Sequence, residues 1–157
     1  MDYAQPELTL LLLLLKESNN NLSILPSELS WGLPTAVDPQ DNQGRDTSIK
    51  ATVVNSDRYR GNSTFFYSRV PMRRLIAQCM TTPRITIGAG QMLSENLSFI
   101  NQALSLGLEV GSITDIDLTQ ELVNYDTWTP IRIAANPNSR VYSESVKLYL
   151  KRDSGAV

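Results

Sequence analysis

Two stretches decide the architecture: Thr47-Ser-Ile-Lys-Ala-Thr-Val-Val-Asn-Ser-Asp-Arg-Tyr-Arg-Gly-Asn-Ser-Thr-Phe-Phe-Tyr-Ser-Arg69 and Thr129-Pro-Ile-Arg-Ile-Ala-Ala-Asn-Pro-Asn-Ser-Arg-Val-Tyr-Ser-Glu-Ser-Val-Lys-Leu-Tyr-Leu-Lys-Arg152. Thr47 aligns with Thr129, Ile49 with Ile131 and Lys50 with Arg132. One residue is then inserted in the second copy, after which Tyr59 aligns with Tyr142 and Arg69 with Arg152. Each copy reads strand, polar turn, tyrosine, strand. The alternation is clearest in the second, with Val146, Leu148 and Leu150 on one face and Lys147, Tyr149 and Lys151 on the other. Asn55-Ser56-Asp57 and Asn136-Pro137-Asn138-Ser139 supply the turns. The spacing predicts two β-hairpins. Gly61 is placed to leave the first turn with positive φ, where the second copy carries Glu144. Tyr59 is expected to fold over its own hairpin and Arg69 to pair across it.

The segments before the hairpins correspond as well. Leu8–Lys16 reads as a helix, Asn19-Asn20-Asn21 breaks it, and Leu22–Leu29 follows. In the second copy, Ser94 is expected to cap a helix holding Leu97, Ile100 and Leu104, which Leu106-Gly107 ends. Leu108–Ile116 is then the counterpart of Leu22–Leu29. The halves run over approximately 6–70 and 94–152. Residues 71–93, punctuated by Thr82-Pro83 and Gly88-Ala-Gly90, connect them. Each half is too small for a core of its own. The expectation is therefore one α+β domain over residues 1–157, two pseudo-repeated halves each pairing a helix with an antiparallel hairpin.

Composition narrows the chemistry. The 157 residues are 41% apolar and 19% charged, a globular balance. A single cysteine, Cys79, leaves no partner for an intramolecular disulfide. It sits beside Met80 after Leu75-Ile76-Ala77 and reads as a small buried hydrophobe. The chain has no histidine, which removes His-ligated zinc, Ser-His-Asp and Cys-His nucleophiles, and the usual neutral-pH acid/base group. Leu10 to Leu15 is an unbroken leucine run ending at Lys16-Glu17. A spanning helix needs about 20 apolar residues, and the acidic start with Asp2 and Glu7 is wrong for a leader. The run is read as a buried or intermolecular helix opened by Pro6, in a soluble, unprocessed chain with no membrane partner. Leu13 and Leu14 look away from the face shared by Leu11, Leu12 and Leu15, which makes them candidate partner contacts.

Charge is segregated along the chain. Residues 1–44 carry a net −5, residues 45–84 a net +6 and residues 85–157 a net −3. The basic middle is rich in arginine, whose planar fork suits carboxylates. Arg58, Arg60, Arg73 and Arg74 are the candidate interface cations, meeting acidic surfaces that include those of neighbouring copies. The total of −2 and the lack of interleaved aromatics argue against nucleic acid.

Other motifs fall short. Asp115-Ile-Asp117 with Glu121 resembles a calcium loop, but the sixth and twelfth positions hold Gln120 and Asp126 rather than Gly and Glu. Gly88-Ala-Gly90 lacks the third glycine and the Lys-Ser/Thr of a phosphate loop. Asn21, Asn62 and Asn96 each begin a glycosylation sequon of a kind expected in an Asn/Ser-rich chain. No cofactor is expected.

Gly44-Arg-Asp-Thr47, Ile49-Lys-Ala-Thr-Val53, Arg58-Tyr-Arg-Gly61 and Phe66-Tyr-Ser-Arg69 together resemble a module of virion structural proteins in large tailed bacteriophages. That module joins N-T-x-V-x-V-T-A to x-Y-x-G-S-V-x-V-x-Y-N-R. The likeness covers residues 8–70 well and 97–152 more weakly, with Asp46 and Ser68 standing where the module has Asn, and Glu144 where it has Gly. The resemblance implies a non-enzymatic virion component of the tail, baseplate or neck, assembled in the host bacterial cytoplasm and partnered by other virion proteins and copies of itself. Trp31, Trp128 and the strand tyrosines suggest the alternative, a stand-alone adhesion or carbohydrate-binding β-module.

Overall fold

A computed structural model describes residues 1–19, 26–77, 81–109 and 125–153. Helix α1 (Glu7–Ser18) starts directly after Pro6. At its far end the Asn19 side-chain amide donates to the carbonyls of Leu15 and Phe66. The Arg45 guanidinium donates to the Ser18 carbonyl, setting a cation at the helix's negative end. Leu10, Leu11, Leu14 and Leu15 are all buried, whereas Leu13 is exposed. At 3.6 residues per turn the four buried leucines fall within an arc of roughly 140°. That corrects the expectation for Leu14, which joins the core face rather than looking away. The arc is set by what covers the helix: α1 lies against the first hairpin and its leucines enter a core shared with the second half.

The first sheet consists of β1 (Leu29–Trp31), β2 (Thr35–Ala36), β3 (Thr47–Val53) and β4 (Asn62–Tyr67). Strand β3 pairs antiparallel with β4 from Thr47↔Tyr67 to Thr52↔Asn62, and with β1 and β2 in succession. Thr47, Ile49 and Ala51 are buried and alternate with more exposed neighbours, as a half-buried strand requires. Two short strands follow, β5 (Val70–Pro71) and β6 (Arg84–Ile87), then β7 (Thr129–Ala134), β8 (Tyr142–Ser143) and β9 (Ser145–Arg152). Strand β9 is central, antiparallel to β7 and parallel to β6, while β5 and β8 form a separate parallel pair.

The hairpin repeat extends to single hydrogen bonds. Beyond the pair Thr52↔Asn62, the Val53 N–H donates to the Gly61 carbonyl at 2.9 Å. Beyond Ala134↔Ser145, the Ala135 N–H donates to the Glu144 carbonyl at 2.8 Å. Within the first turn, Ser56 Oγ accepts from the N–H groups of Arg58 and Tyr59. Within the second, Ser139 Oγ accepts from those of Val141 and Tyr142. Gly61 sits at φ +95° and its counterpart Glu144 at φ +64°. The one inserted residue falls early in the second turn, before Ser139.

Three sequence expectations change. The connector is not mere punctuation. It holds β5, a 3-10 turn over Met72–Ile76 and β6, because Ile85 and Ile87 recur at period two and are both buried. Ser94 does not cap helix α2 (Leu97–Leu104); residues Ser94–Asn96 form a 3-10 turn, and no side chain bonds the helix start. The helix ends at Ser105, left-handed at φ +53°, with the Leu106 N–H donating to the Asn101 carbonyl. Gly107 has another task. Its N–H donates to the Tyr3 carbonyl, and a Cβ there would stand 2.6 Å from the Ala4 carbonyl oxygen. Most of the segments around Leu22–Leu29 and Leu108–Ile116 lies outside the described residues.

One apolar cluster takes the α1 leucines, Ile49 and Tyr67 from the first half with Ile100, Ile133, Leu148 and Leu150 from the second. The fold is α+β.

Candidate interaction surface

The two halves are joined by a polar seam around Arg140. Glu7, buried at the start of α1, accepts the Arg140 N–H on Oε1 at 2.9 Å. Burial pushes the Glu7 carboxyl above its usual range, while the hydrogen bond and charge of Arg140 pull the other way. The Tyr67 hydroxyl donates to the Arg140 carbonyl at 2.7 Å, and burial raises the pKa of that hydroxyl strongly. The Arg140 guanidinium in turn donates to the carbonyls of Trp31 and Gly32. Arg69, expected to pair across its own hairpin, instead reaches the carbonyls of Pro137 and Ser139 in the second turn. It is a tie between halves.

The candidate interface residues do not all fall together. Arg58 and Arg60 are exposed at the first turn, and neither has an ion-pair partner among the described residues. Arg73 lies 3.3 Å from the Glu144 carboxylate, an exposed pair across the second turn, and Arg74 is exposed beside it. Leu13 is exposed on α1. Leu14 is only 7% exposed and belongs to this chain's own core, so it offers nothing to a partner.

An open groove of about 280 Å³ runs under the first turn, lined by Leu29, Val53, Tyr59, Arg60 and Phe65 among others. It is a feature the sequence reading did not contain. Tyr59 stands 37% exposed at its mouth, not folded fully over the hairpin, and Val54 beside the turn is 52% exposed. The equivalent positions in the second half are closed: Tyr142 is 1% exposed and Val141 is fully buried. A signal for this difference lay in the flanks of the aligned tyrosines. Arg58 and Arg60 surround the first, while Val141 and Ser143 surround the second.

The remaining motifs yield little chemistry. Gly88 and Gly90 are packed against Phe99, Glu95 and Asn96, and the N–H groups of Gln91 and Met92 already donate to the Glu95 carboxylate. Asn96 is fully buried and its amide donates to the carbonyls of Gly90 and Met92, so its sequon is inaccessible in the folded chain. Trp31 packs against Phe65 with ring centroids 6.4 Å apart, and the Arg84 guanidinium lies over the Trp128 ring. Cys79, Asp115, Asp117 and Glu121 lie outside the described residues. Among the described residues there is no group of three side chains suited to a metal ion, and no helix long and apolar enough to cross a membrane.

Fold and surface together define an α+β protein of two hairpin modules, one with its turn docked and one with its turn open. The chain belongs to the family of unknown function DUF7941, whose model matches residues 1–155. No curated protein and no solved structure matches it.

Proposed function

We propose that this protein is a non-enzymatic structural component of a bacteriophage virion, in the tail, baseplate or neck, acting by protein–protein assembly. The observation that carries the reading is the open first turn, where two exposed arginines flank an exposed tyrosine above an apolar groove. A surface of that kind, apolar in the middle and charged at the rim, suits another protein. The resemblance of residues 8–70 to the tailed-phage virion module points the same way, as does a chain without histidine. Its partners are other virion proteins and copies of itself, and its place is the particle assembled in the host bacterial cytoplasm. The sugar-binding alternative has less to stand on, since Trp31 packs inward on Phe65 and Trp128 carries Arg84 over its ring.

Mass spectrometry of purified particles from a phage encoding the chain tests the proposal. A stoichiometric peptide signal is expected, and absence from every particle overturns it. Reproducible binding of the isolated protein on a glycan array would favour the adhesion module instead.

A further inference from the structure

Strands β6, β9 and β7 form a sheet whose inner face enters the core through Ile85, Ile87, Ile131, Ile133, Leu148 and Leu150. Period two then sends Lys147, Tyr149 and Lys151 of β9 to the outer face, with Arg84 beside them on β6 and Arg132 on β7. Arg84 is in register with Tyr149, and Arg132 with Lys147. Arg84, Arg132 and Lys147 are exposed, while Tyr149 and Lys151 are half-buried. No Asp or Glu occurs in any of the three strands, and Asp126 and Asp153 stand beyond their ends. None of the four outer cations has an ion-pair partner among the described residues. Arg132 Nε donates to the Ser145 hydroxyl at 2.6 Å, which orients the guanidinium without neutralising it. The Arg84 guanidinium lies 5.7 Å from the Trp128 ring centroid, and the Lys147 ammonium 5.5 Å from that of Tyr149. An open hollow lies over each flank of β9, about 410 Å³ beside Arg84 and Tyr149 and about 530 Å³ beside Arg132 and Lys147.

We propose that this outer face binds single-stranded nucleic acid, with phosphates on Arg84, Arg132, Lys147 and Lys151 and a base on the Tyr149 ring. Four unpaired cations with no carboxylate between them are complementary to a polyanion. Two features choose among polyanions. A lysine stands on each side of the central tyrosine, about 7 Å away along the strand, whereas protein interfaces are depleted of lysine. An aromatic ring set among cations stacks an unpaired base, and the bases of a duplex are already stacked on one another. Whole-chain charge and the arginine-rich middle speak against nucleic acid, but this is a different surface. Lys147-Leu-Tyr149-Leu-Lys151 has the interleaving of cation and aromatic that the middle lacks. The net −3 of residues 85–157 hides it, because the acids of that half all lie outside these strands. Binding here is independent of the open first turn and of incorporation into particles.

Fluorescence anisotropy of the full chain with labelled oligothymidylate and oligouridylate tests this, the two probes separating DNA from RNA. Binding of at least one is expected, with log K falling against log salt at a slope of about −3, as four phosphate contacts on a single strand require. Lys147→Gln with Lys151→Gln is expected to bring that slope to roughly half. Tyr149→Leu is expected to raise the dissociation constant at least about fivefold and to leave the slope unchanged, since it removes stacking and no charge. The lysine double variant, its fold checked by circular dichroism, stands as the test should Tyr149→Leu misfold. Failure to bind either probe overturns the proposal, as does binding that ignores the lysine double variant. A duplex bound as tightly as a single strand also overturns it. So does displacement of the probe by polyglutamate at equal charge, which assigns the face to an acidic protein.

Discussion

Glu7 shows how one buried side chain ties the halves and sets a pH dependence. Its carboxylate is the acceptor for the Arg140 N–H, and desolvation holds its folded pKa above the unfolded value. The folded state therefore binds that proton more tightly, and the stability this provides is lost as pH rises through the folded pKa. Glu7→Gln keeps an acceptor oxygen without the charge. The stability of the wild type relative to this variant should fall as pH climbs from the ordinary carboxylate range toward neutrality, read by urea denaturation at each pH. Two glycines make a matched contrast. Gly61 sits at φ +95° with nothing within 4 Å of where a Cβ would stand, so Gly61→Ala carries backbone strain alone, about 1–2 kcal/mol. Gly107 has no such φ but a Cβ would collide with the Ala4 carbonyl, so Gly107→Ala should displace the segment before α1. Limited proteolysis should cut that segment faster in Gly107→Ala and leave it untouched in Gly61→Ala.

At the scale of elements, α1 separates a core face from a free one. Leu14 is enclosed with Leu10, Leu11 and Leu15, whereas Leu13 is 38% exposed. Leu14→Glu places a charge in an apolar interior and should destabilise by several kcal/mol or abolish folding. Leu13→Glu should stay within about 0.5 kcal/mol of wild type by thermal denaturation. Only the latter reports on a partner contact: a loss of self-association with Leu13→Glu would extend the interface onto α1. The hairpins behave as congruent units because the same serine and positive-φ positions close both turns. Glu144 holds a conformation that glycine adopts freely, and its carboxylate meets Arg73 across the turn.

For the whole molecule, the charge pattern becomes a test of assembly. Arg58 and Arg60 are exposed without ion-pair partners among the described residues, whereas Arg73 already has one in Glu144. Arg58→Glu with Arg60→Glu should leave the fold intact, since surface charges of this kind contribute about 0–1 kcal/mol each. The same double reversal should reduce incorporation into particles, measured by quantitative mass spectrometry, and make self-association less sensitive to salt. Normal occupancy by a folded double variant would mean that these arginines only solvate the turn.

Much of the fold was legible from local pattern. Period-two alternation marked β3, β7 and β9, and the aligned tyrosines marked the repeat and with it β4, because strand alternation and turn chemistry are written in neighbouring residues. The leucine run and Pro6 likewise marked α1. Where sequence reading went astray, the deciding contacts were distant in the chain. Leu14 is buried because both halves close around one arc of α1, and Arg69 leaves its hairpin because the carbonyls of Pro137 and Ser139 lie within its reach. Ser94 does not cap helix α2 because Ser94–Asn96 forms a 3-10 turn, and Asn96, which takes the cap position, donates its amide to Gly90 and Met92 instead. The open first turn was decided in the same way, with only the residues flanking the aligned tyrosines to signal it. By itself the sequence determined two like hairpins with a helix apiece, since that follows from side-chain period and local turns. Only the tertiary structure decided which turn is closed, because a two-residue strand such as β5 has too little local pattern to announce its partner, and its place is settled by the packing of one half upon the other.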